Sequence, residues 1–421
     1  MPRSNAVVGE IAELAQSRGA GRLLTVQFSG GQSGRLDLSD SRAQAWLSAL
    51  DELSSAGLPA YVEIDPETSI ITEVLVPIVD AVAELRDGDG ELEVDLVVSH
   101  AKHRLPRDSP DYDELRRLLA ESKESGQAVL VTDALDGHTI IDVRPHPKVS
   151  LLERAEAKAE PLSTPVTLAQ AQQMFNLVNG RTACSVNPVA PGIPFTYPDD
   201  GCWGRAHEMA RLMIEQGITP DKVWIYGNLR VNSANKPDCL VGWGWHVAPT
   251  LQVGTSTYVI DPALFTSPVP RATWFGVQGD PSATLVPTGW EVFHNGLGTY
   301  DPTFSQTNSV LATYRAKLQV RSASADGPPP YPRCQTNPPR VQWIGTIAGN
   351  TTARWFTYGW PSSWHVVWTM MPTSICSGAP QLSWSVAVER ANATQSTYWI
   401  TVKNQSAHTV RFEGRYDVLS T

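Results

Sequence analysis

The sequence predicts an α+β protein built in three parts, and three observations carry that prediction. Runs of period-two apolar alternation are interleaved with stretches of helical spacing through the first two thirds of the chain, while the last 80 or so residues carry alternation alone. Charge and tryptophan are both unevenly distributed. Proline-rich breaks fall between the segments so defined. At 421 residues the chain exceeds what a single core accommodates, since cores rarely grow past about 250 residues.

Residues 1–147 form the first part. Alternation over Arg22–Phe28, Ala60–Ile64, Leu92–Val98, Ala128–Thr132 and Thr139–Val143 predicts strands. Helical spacing over Ser41–Leu53 and Asp111–Ser122 predicts helices, the second opening with acids that suit the positive end of a helix. The segment is acidic: residues 1–150 hold 26 Asp and Glu against 14 Lys and Arg, leaving 17 against 19 for the rest. It shows no catalytic constellation. His100 and His103, in VSHAKHRL, read as the solvated end of a strand.

Residues 148–166 are the predicted linker, preceded by Pro145 and Pro147, with Pro161 and Pro165 near the other end and a short charged helical stretch between. A second break follows at SASADGPPPYPR, residues 322–333, where three consecutive prolines exclude helix and central strand. The middle part therefore spans 167–327 and the last 335–421. In the last part, Arg354–Thr357, Val366–Met370, Leu382–Val388, Tyr398–Val402 and Val410–Tyr416 alternate at roughly ten-residue spacing, the rhythm of an antiparallel β-sandwich. Of the 14 tryptophans, only Trp46 precedes residue 200.

Composition excludes several function classes. A formal net charge of −10 argues against a general nucleic-acid binder, which needs a basic face to displace counterions. No run of eighteen apolar residues is present, so no membrane-spanning helix is expected. Glu10 and Glu13 stand where a signal peptide needs its apolar stretch, so export is not expected from this N-terminus. The five cysteines fit two disulfides plus a free thiol, or five reduced thiols. None forms a C-x-x-C pair beside histidines, and neither a metal nor a cofactor is expected.

The chemistry concentrates in residues 195–265. In FTYPDDGCWGRAHEMARLMIEQGITP the Asp199-Asp200-Gly201 turn, read as bearing a capping acid, precedes helical spacing that Gly217 and Pro220 end. Cys202 falls in the first turn, where the helix dipole favours a thiolate and unpaired N–H groups can hold an oxyanion. Downstream, two alternating runs around Gly254-Thr255-Ser256 read as a hairpin. With a two-residue turn at Gly254-Thr255, His246 pairs with Ala263 and Asp261 with Ala248, making His246 and Asp261 diagonal neighbours on one face; a turn one residue earlier would place them directly opposite. A base and its orienting carboxylate thus join a nucleophile. Plainer readings exist: a buried cysteine at a helix start, a core histidine on an aromatic strand (Trp364-His365-Val366 repeats the string with no partner cysteine), and a strand-ending Asp before Pro262.

Tyr197-Pro198-Asp199-Asp200-Gly201-Cys202, followed by Arg205-Ala206-His207 and Met209, resembles the nucleophile segment of the bacterial protein-glutaminases. So do Tyr226-Gly227-Asn228-Leu229, Trp245 to Ala248, and Val259-Ile260-Asp261-Pro262 with Leu264-Phe265, in the same order over about 100 residues. The resemblance implies a papain/transglutaminase-like core and a triad of Cys202, His246 and Asp261. It also implies hydrolysis of protein- or peptide-bound glutamine to glutamate and ammonia, secretion, and an N-terminal pro-region. On that reading residues 1–147 cover the active site until cleavage at Lys148, Arg154 or Lys158 releases them. Trp203, Asn228 and Trp245 are candidate substrate contacts by adjacency. The family's adjacent cysteine pair is a single Cys239 here, and the expected disulfides join Cys239 to Cys184 and Cys334 to Cys376. Nothing in residues 340–420 matches the family, and that part is expected to be separable and to bind a surface or protein partner.

Three other readings compete. Transglutamination resolves the same thioester with a lysine amine, a cysteine peptidase uses the same triad, and an adhesion protein could keep a degenerate enzyme core with its tryptophan-rich C-terminal part at work.

Overall fold

The computed structural model describes residues 5–16, 22–150, 163–334, 340–376 and 378–420; of these, the side chains of Gln16, residues 147–150 and Ser420 are outside the description. The fold is mixed helix and sheet, mostly sheet. Its helices are α1 (Ala43–Ser55), α2 (Tyr112–Ser125), α3 (Leu168–Asn179), α4 (Cys202–Glu215), α5 (Arg271–Gly276) and α6 (Thr307–Ser322). No helix among the described residues is long and apolar enough to cross a membrane.

The N-terminal part holds a five-stranded antiparallel sheet in the order Ser33–Asp37, Leu23–Phe28, Ala6–Gln16, Pro59–Ile64, Ile71–Leu75. It also holds two three-stranded sheets and the helices α1 and α2. Each predicted strand and both helices of this part fall within observed elements to within a few residues. The α1 stripe of Ala43, Trp46, Ala49, Leu50 and Leu53 is wholly buried, as its three- and four-residue spacing requires.

That stripe does not pack on its own sheet alone. Ala316 and Val320 of α6, from the middle part, belong to the same apolar core. Beside them Arg315, itself 1% exposed, holds Glu52 of α1 at 2.6 Å. The N-terminal part is thus seated on the rest through a shared core and an ion pair to the buried Arg315, an arrangement that sequence spacing does not encode.

The middle part is built on an antiparallel sheet in the order Val269–Pro270, Ser256–Val259, Leu240–Val253, Asp221–Asn232, Thr284–Gly289, with Pro165–Val166 added in parallel to Leu240–Val253. Pro165 and Val166, the end of the predicted linker, are therefore sheet, and its beginning continues the strand Ile140–Ser150. The stretch 151–162, with Arg154 and Lys158, lies outside the described residues. Helix α4 packs across the sheet, burying Cys202 to Ala210 without interruption. Residues of α3, α4, α6 and the sheet form one core.

The last part consists of two three-stranded antiparallel sheets, Val341–Ile347/Val410–Ser420/His365–Pro372 and Thr352–Pro361/Gln395–Asn404/Leu382–Glu389. Trp360, Trp368, Ile400, Val402 and Phe412 fill the core they share. The disulfides are Cys184–Cys376 and Cys239–Cys334, leaving Cys202 free. The expected pairing is thus exchanged. The reason is spatial: the loop after α3 runs against the last part, where the Ser185 N–H donates to the Ile375 carbonyl at 3.3 Å. Cys376 is held covalently to the middle part.

Candidate functional site

Helix α4 begins at Gly201, whose φ of 79° places it in the left-handed region that glycine tolerates. A side chain there would also be blocked, since an added Cβ would stand 2.2 Å from the Tyr314 ring. This turn fixes Cys202 at the first position of the helix. Neither aspartate caps it, contrary to the sequence-based expectation. Asp200 instead accepts from the Ser99 and Tyr314 hydroxyls, each at 2.6 Å, and from its neighbouring Gly201 N–H at 2.9 Å. Asp199 is fully buried against Arg321 at 2.6 Å and Lys236 at 3.3 Å. Both are drawn away from the helix end by partners distant in sequence. Although burial pushes both carboxyl groups up, these charged and hydrogen-bonding partners hold them ionised, Asp199 well below the ordinary carboxylate range.

The hairpin carries the register expected from a two-residue turn at Gly254-Thr255: Val253 pairs with Ser256 and Thr250 with Val259. The paired strand stops at Val259, before Ala263, but the Ile260 N–H continues the pattern to the Pro249 carbonyl at 2.9 Å. His246 Nε2 and Asp261 Oδ2 are 2.9 Å apart, as the diagonal placement anticipates. Trp274 Nε1 donates to the same carboxylate oxygen at 2.8 Å. Burial raises the Asp261 pKa, but His246 and Trp274 outweigh it and the group stays below its ordinary value. The imidazole stacks on Trp243 at 4.5 Å between centroids and on Trp274 at 5.6 Å. With Nε2 on Asp261, His246 Nδ1 is buried without a hydrogen-bond partner.

Cys202, His246 and Asp261 therefore converge, all of them buried. Burial pushes the Cys202 thiol well up, against the pull of the Arg205 guanidinium and the Val247 N–H. The helix dipole alone predicts a thiolate; in the closed site desolvation wins and the group is a thiol.

What closes the site is a residue that sequence reading assigned to a solvated strand end. His100 is 1% exposed, and its Nδ1 lies 3.4 Å from Cys202 Sγ and 2.8 Å from the Trp245 carbonyl. The backbone delivers it by strand-like pairing: Gly244 N–H donates to the His100 carbonyl at 2.9 Å, and Ala101 bridges Trp243 antiparallel. His103, three residues on, is likewise buried, with Asp133 at 2.9 Å. No local pattern marks either histidine as internal, because the surface that buries His100 belongs to another part of the chain.

Of the candidate substrate contacts, Trp203 is buried behind Cys202, its ring 5.9 Å from that of Trp245. Trp245 is half-buried and lines a cleft of about 470 Å³ with Ser99, His100, Tyr226, His294 and Leu297. Asn228 is exposed and accepts from Lys102 of the N-terminal part. Tyr226, on the strand paired with that of His246, and His294, at the end of the strand Val292–His294, also line the cleft; neither is among the substrate contacts expected from the sequence.

Residues 171–278 match the family model described as glutaminase. No curated protein matches the chain. Among solved structures, the chain is similar to a pro-protein-glutaminase at 21% identity over 56% of this chain and 92% of that one, with a TM-score of 0.44. It is also similar to a protein-glutaminase at 29% identity over 35% and 85%, and to the protein-glutaminase from Chryseobacterium proteolyticum at 27% over 35% and 86%, each with a TM-score of 0.31. The resemblance borne by the strings around Cys202, His246 and Asp261 is thus met by the glutaminase family model, which matches the stretch that contains all three.

Proposed function

We propose that this protein hydrolyses the side-chain amide of protein- or peptide-bound glutamine, using Cys202 as nucleophile, His246 as acid and base, and Asp261 to orient His246. The observation that carries this reading is the His246–Asp261 bond at 2.9 Å, which leaves an unpartnered Nδ1 in the same buried cluster as the free thiol of Cys202. Nδ1 takes the Cys202 proton as sulfur adds to the δ-carbonyl, and the imidazolium returns that proton to the departing nitrogen, which leaves as ammonia. Water, deprotonated by the same imidazole, then opens the thioester to glutamate and restores the thiol. On this reading N–H groups in the first turn of α4 hold the oxyanion. We read the surrounding helix and sheet as a papain/transglutaminase-like core, and Trp203, Asn228 and Trp245 as lining the approach of the glutamine side chain.

Residues 1–147 belong to this reading as a pro-region, with 148–166 the segment to be cut. In its support, His100 stands against Cys202, and segment 100–102 occupies the strand edge that an extended substrate would use. The assignment is tested by separating residues 1–147 from the remainder and measuring ammonia release from casein. Wild type should release ammonia with matching glutamate formation and without cross-links when lysine donors are present, and Cys202→Ala should not. Cross-linked product would favour the transglutaminase; equal release by Cys202→Ala would refute the nucleophile.

A further inference from the structure

His100, Cys202 and His246 each offer one ligand atom, and the three atoms lie within 4.8 Å of one another in a fully buried cluster. We propose that the closed chain binds a borderline-soft divalent cation, Zn²⁺ in the first instance, through Cys202 Sγ and the Nδ1 atoms of His246 and His100. The site is shared between the N-terminal part and the middle part, and its occupation ties the two together. The proposal stands apart from the amide chemistry, since it concerns the closed chain alone.

Three observations carry it. First, both histidines have a carboxylate on the side away from the sulfur: Asp261 Oδ2 lies 2.9 Å from His246 Nε2, and Asp200 Oδ1 lies 3.3 Å from His100 Nε2. A carboxylate behind an imidazole is the usual outer shell of a metal-binding histidine. At His246 it is hydrogen-bonded and leaves Nδ1 as a lone pair, while at His100 the Asp200 carboxylate stands at ion-pair distance and Nε2 has no hydrogen-bond partner. Second, both ring nitrogens of His100 face acceptors, Nε2 the Asp200 carboxylate and Nδ1 the Trp245 carbonyl at 2.8 Å. A neutral imidazole has one N–H and satisfies one of them. With the proton on Nε2, the Nδ1 lone pair points among Cys202 Sγ and a carbonyl oxygen, where a cation supplies what no hydrogen does. Third, His246 Nδ1 is buried and unpartnered. The Sγ to His100 Nδ1 separation of 3.4 Å is also that of two ligands on one tetrahedral zinc, with bonds of about 2.3 and 2.0 Å.

The site offers one thiolate and two imidazoles, leaving the fourth position for water or the Trp245 carbonyl. Binding exchanges the Cys202 S–H bond for an S–Zn bond and releases one proton to solvent. The three ligands are 44 to 146 residues apart in sequence and come from two parts of the chain, which is why ligand-spacing motifs do not reveal them.

The full chain, freed of metal with a chelator, should take up one equivalent of Co²⁺ and develop a thiolate-to-cobalt charge-transfer absorption in the near ultraviolet, and Zn²⁺ should displace it. Cys202→Ala should abolish the band. His100→Ala should weaken Co²⁺ and Zn²⁺ binding by at least about tenfold, because loss of a mere outer-shell partner costs about 10- to 100-fold. Should His100→Ala disturb folding by circular dichroism, X-ray absorption on the zinc-loaded wild type decides: one sulfur and two imidazoles are expected. Absence of the band, a band in Cys202→Ala, affinity unchanged in a folded His100→Ala, or a single imidazole at the metal would overturn the proposal.

Discussion

Nδ1 of His100 lies 3.4 Å from Sγ of Cys202, although 101 residues separate them in the chain and they belong to different parts of the fold. The contact closes Cys202 Sγ, at the head of α4, off from solvent, and the free cysteine is 1% exposed. Thiol-directed alkylation of the intact chain should therefore be slow at Cys202. It should become fast once residues 1–147 are removed, and equal rates before and after removal would contradict the closure.

Cleavage within 151–162 alone should change little. Helix α1 and helix α6 share an apolar core, and removing Glu52 leaves the buried Arg315 guanidinium without its carboxylate partner. A nicked N-terminal fragment should co-elute with the rest in gel filtration, with ammonia release staying low until the fragment is digested or stripped away. Glu52→Ala should let the fragment leave at lower denaturant concentration. Full activity on nicking, with the fragment still bound, would show that docking does not block the site.

In the separated enzyme, His246→Ala should lower ammonia release on the order of 10³- to 10⁴-fold. Asp261→Asn should act in the same direction, because an amide in place of the carboxylate lets the imidazole turn its proton toward sulfur. Trp274→Phe removes the second donor to Asp261, and a loss of only a few-fold is expected. Steady-state ammonia assays on folded variants check all three; a fully active Asp261→Asn would remove that residue from the mechanism.

Gly201→Ala should destabilise the protein by about 2–4 kcal/mol, combining the left-handed backbone penalty with overpacking against Tyr314. Chemical denaturation reads the effect. A neutral outcome would mean that the turn before α4 rearranges freely.

His103 should make stability fall as the solution turns alkaline. Burial pushes its pKa down, but the Asp133 carboxylate at 2.9 Å outweighs burial and holds it above the ordinary value. Ser99, Asp200 and Lys317 are the other polar groups facing it. A histidine raised in the folded state contributes stability fully below about pH 6.5 and loses it as pH rises through the folded pKa. Melting temperatures between pH 6 and 9 should drop less in His103→Gln than in wild type; parallel curves would show that His103 does not titrate in this range.

The last part is bound to the middle by Cys184–Cys376, which closes a separation of 192 residues. Cys376→Ser should cost about 2–5 kcal/mol, and truncation near residue 335 should cost at least as much, since it also strips the contact at Ser185. A truncated chain with unchanged melting would show the separable last part that strand rhythm and the proline break predict.

What depends on neighbours along the chain was legible from the residues alone. Alternation and helical spacing placed the strands and helices because each element repeats on its own period, two or 3.6 residues, whatever packs against it. Turn chemistry at Gly254-Thr255 set a register that brings Asp261 diagonally across from His246, and Gly201 marked the start of α4. Tertiary structure decided everything that joins distant segments: which cysteines pair, where Asp199 and Asp200 send their carboxylates, and that α1 shares a core with α6. It also decided the fate of His100. In VSHAKHRL nothing separates a histidine that waits in water from one pressed onto a cysteine. The free energy that buries it comes from contacts far along the chain, and those have no local period to betray them.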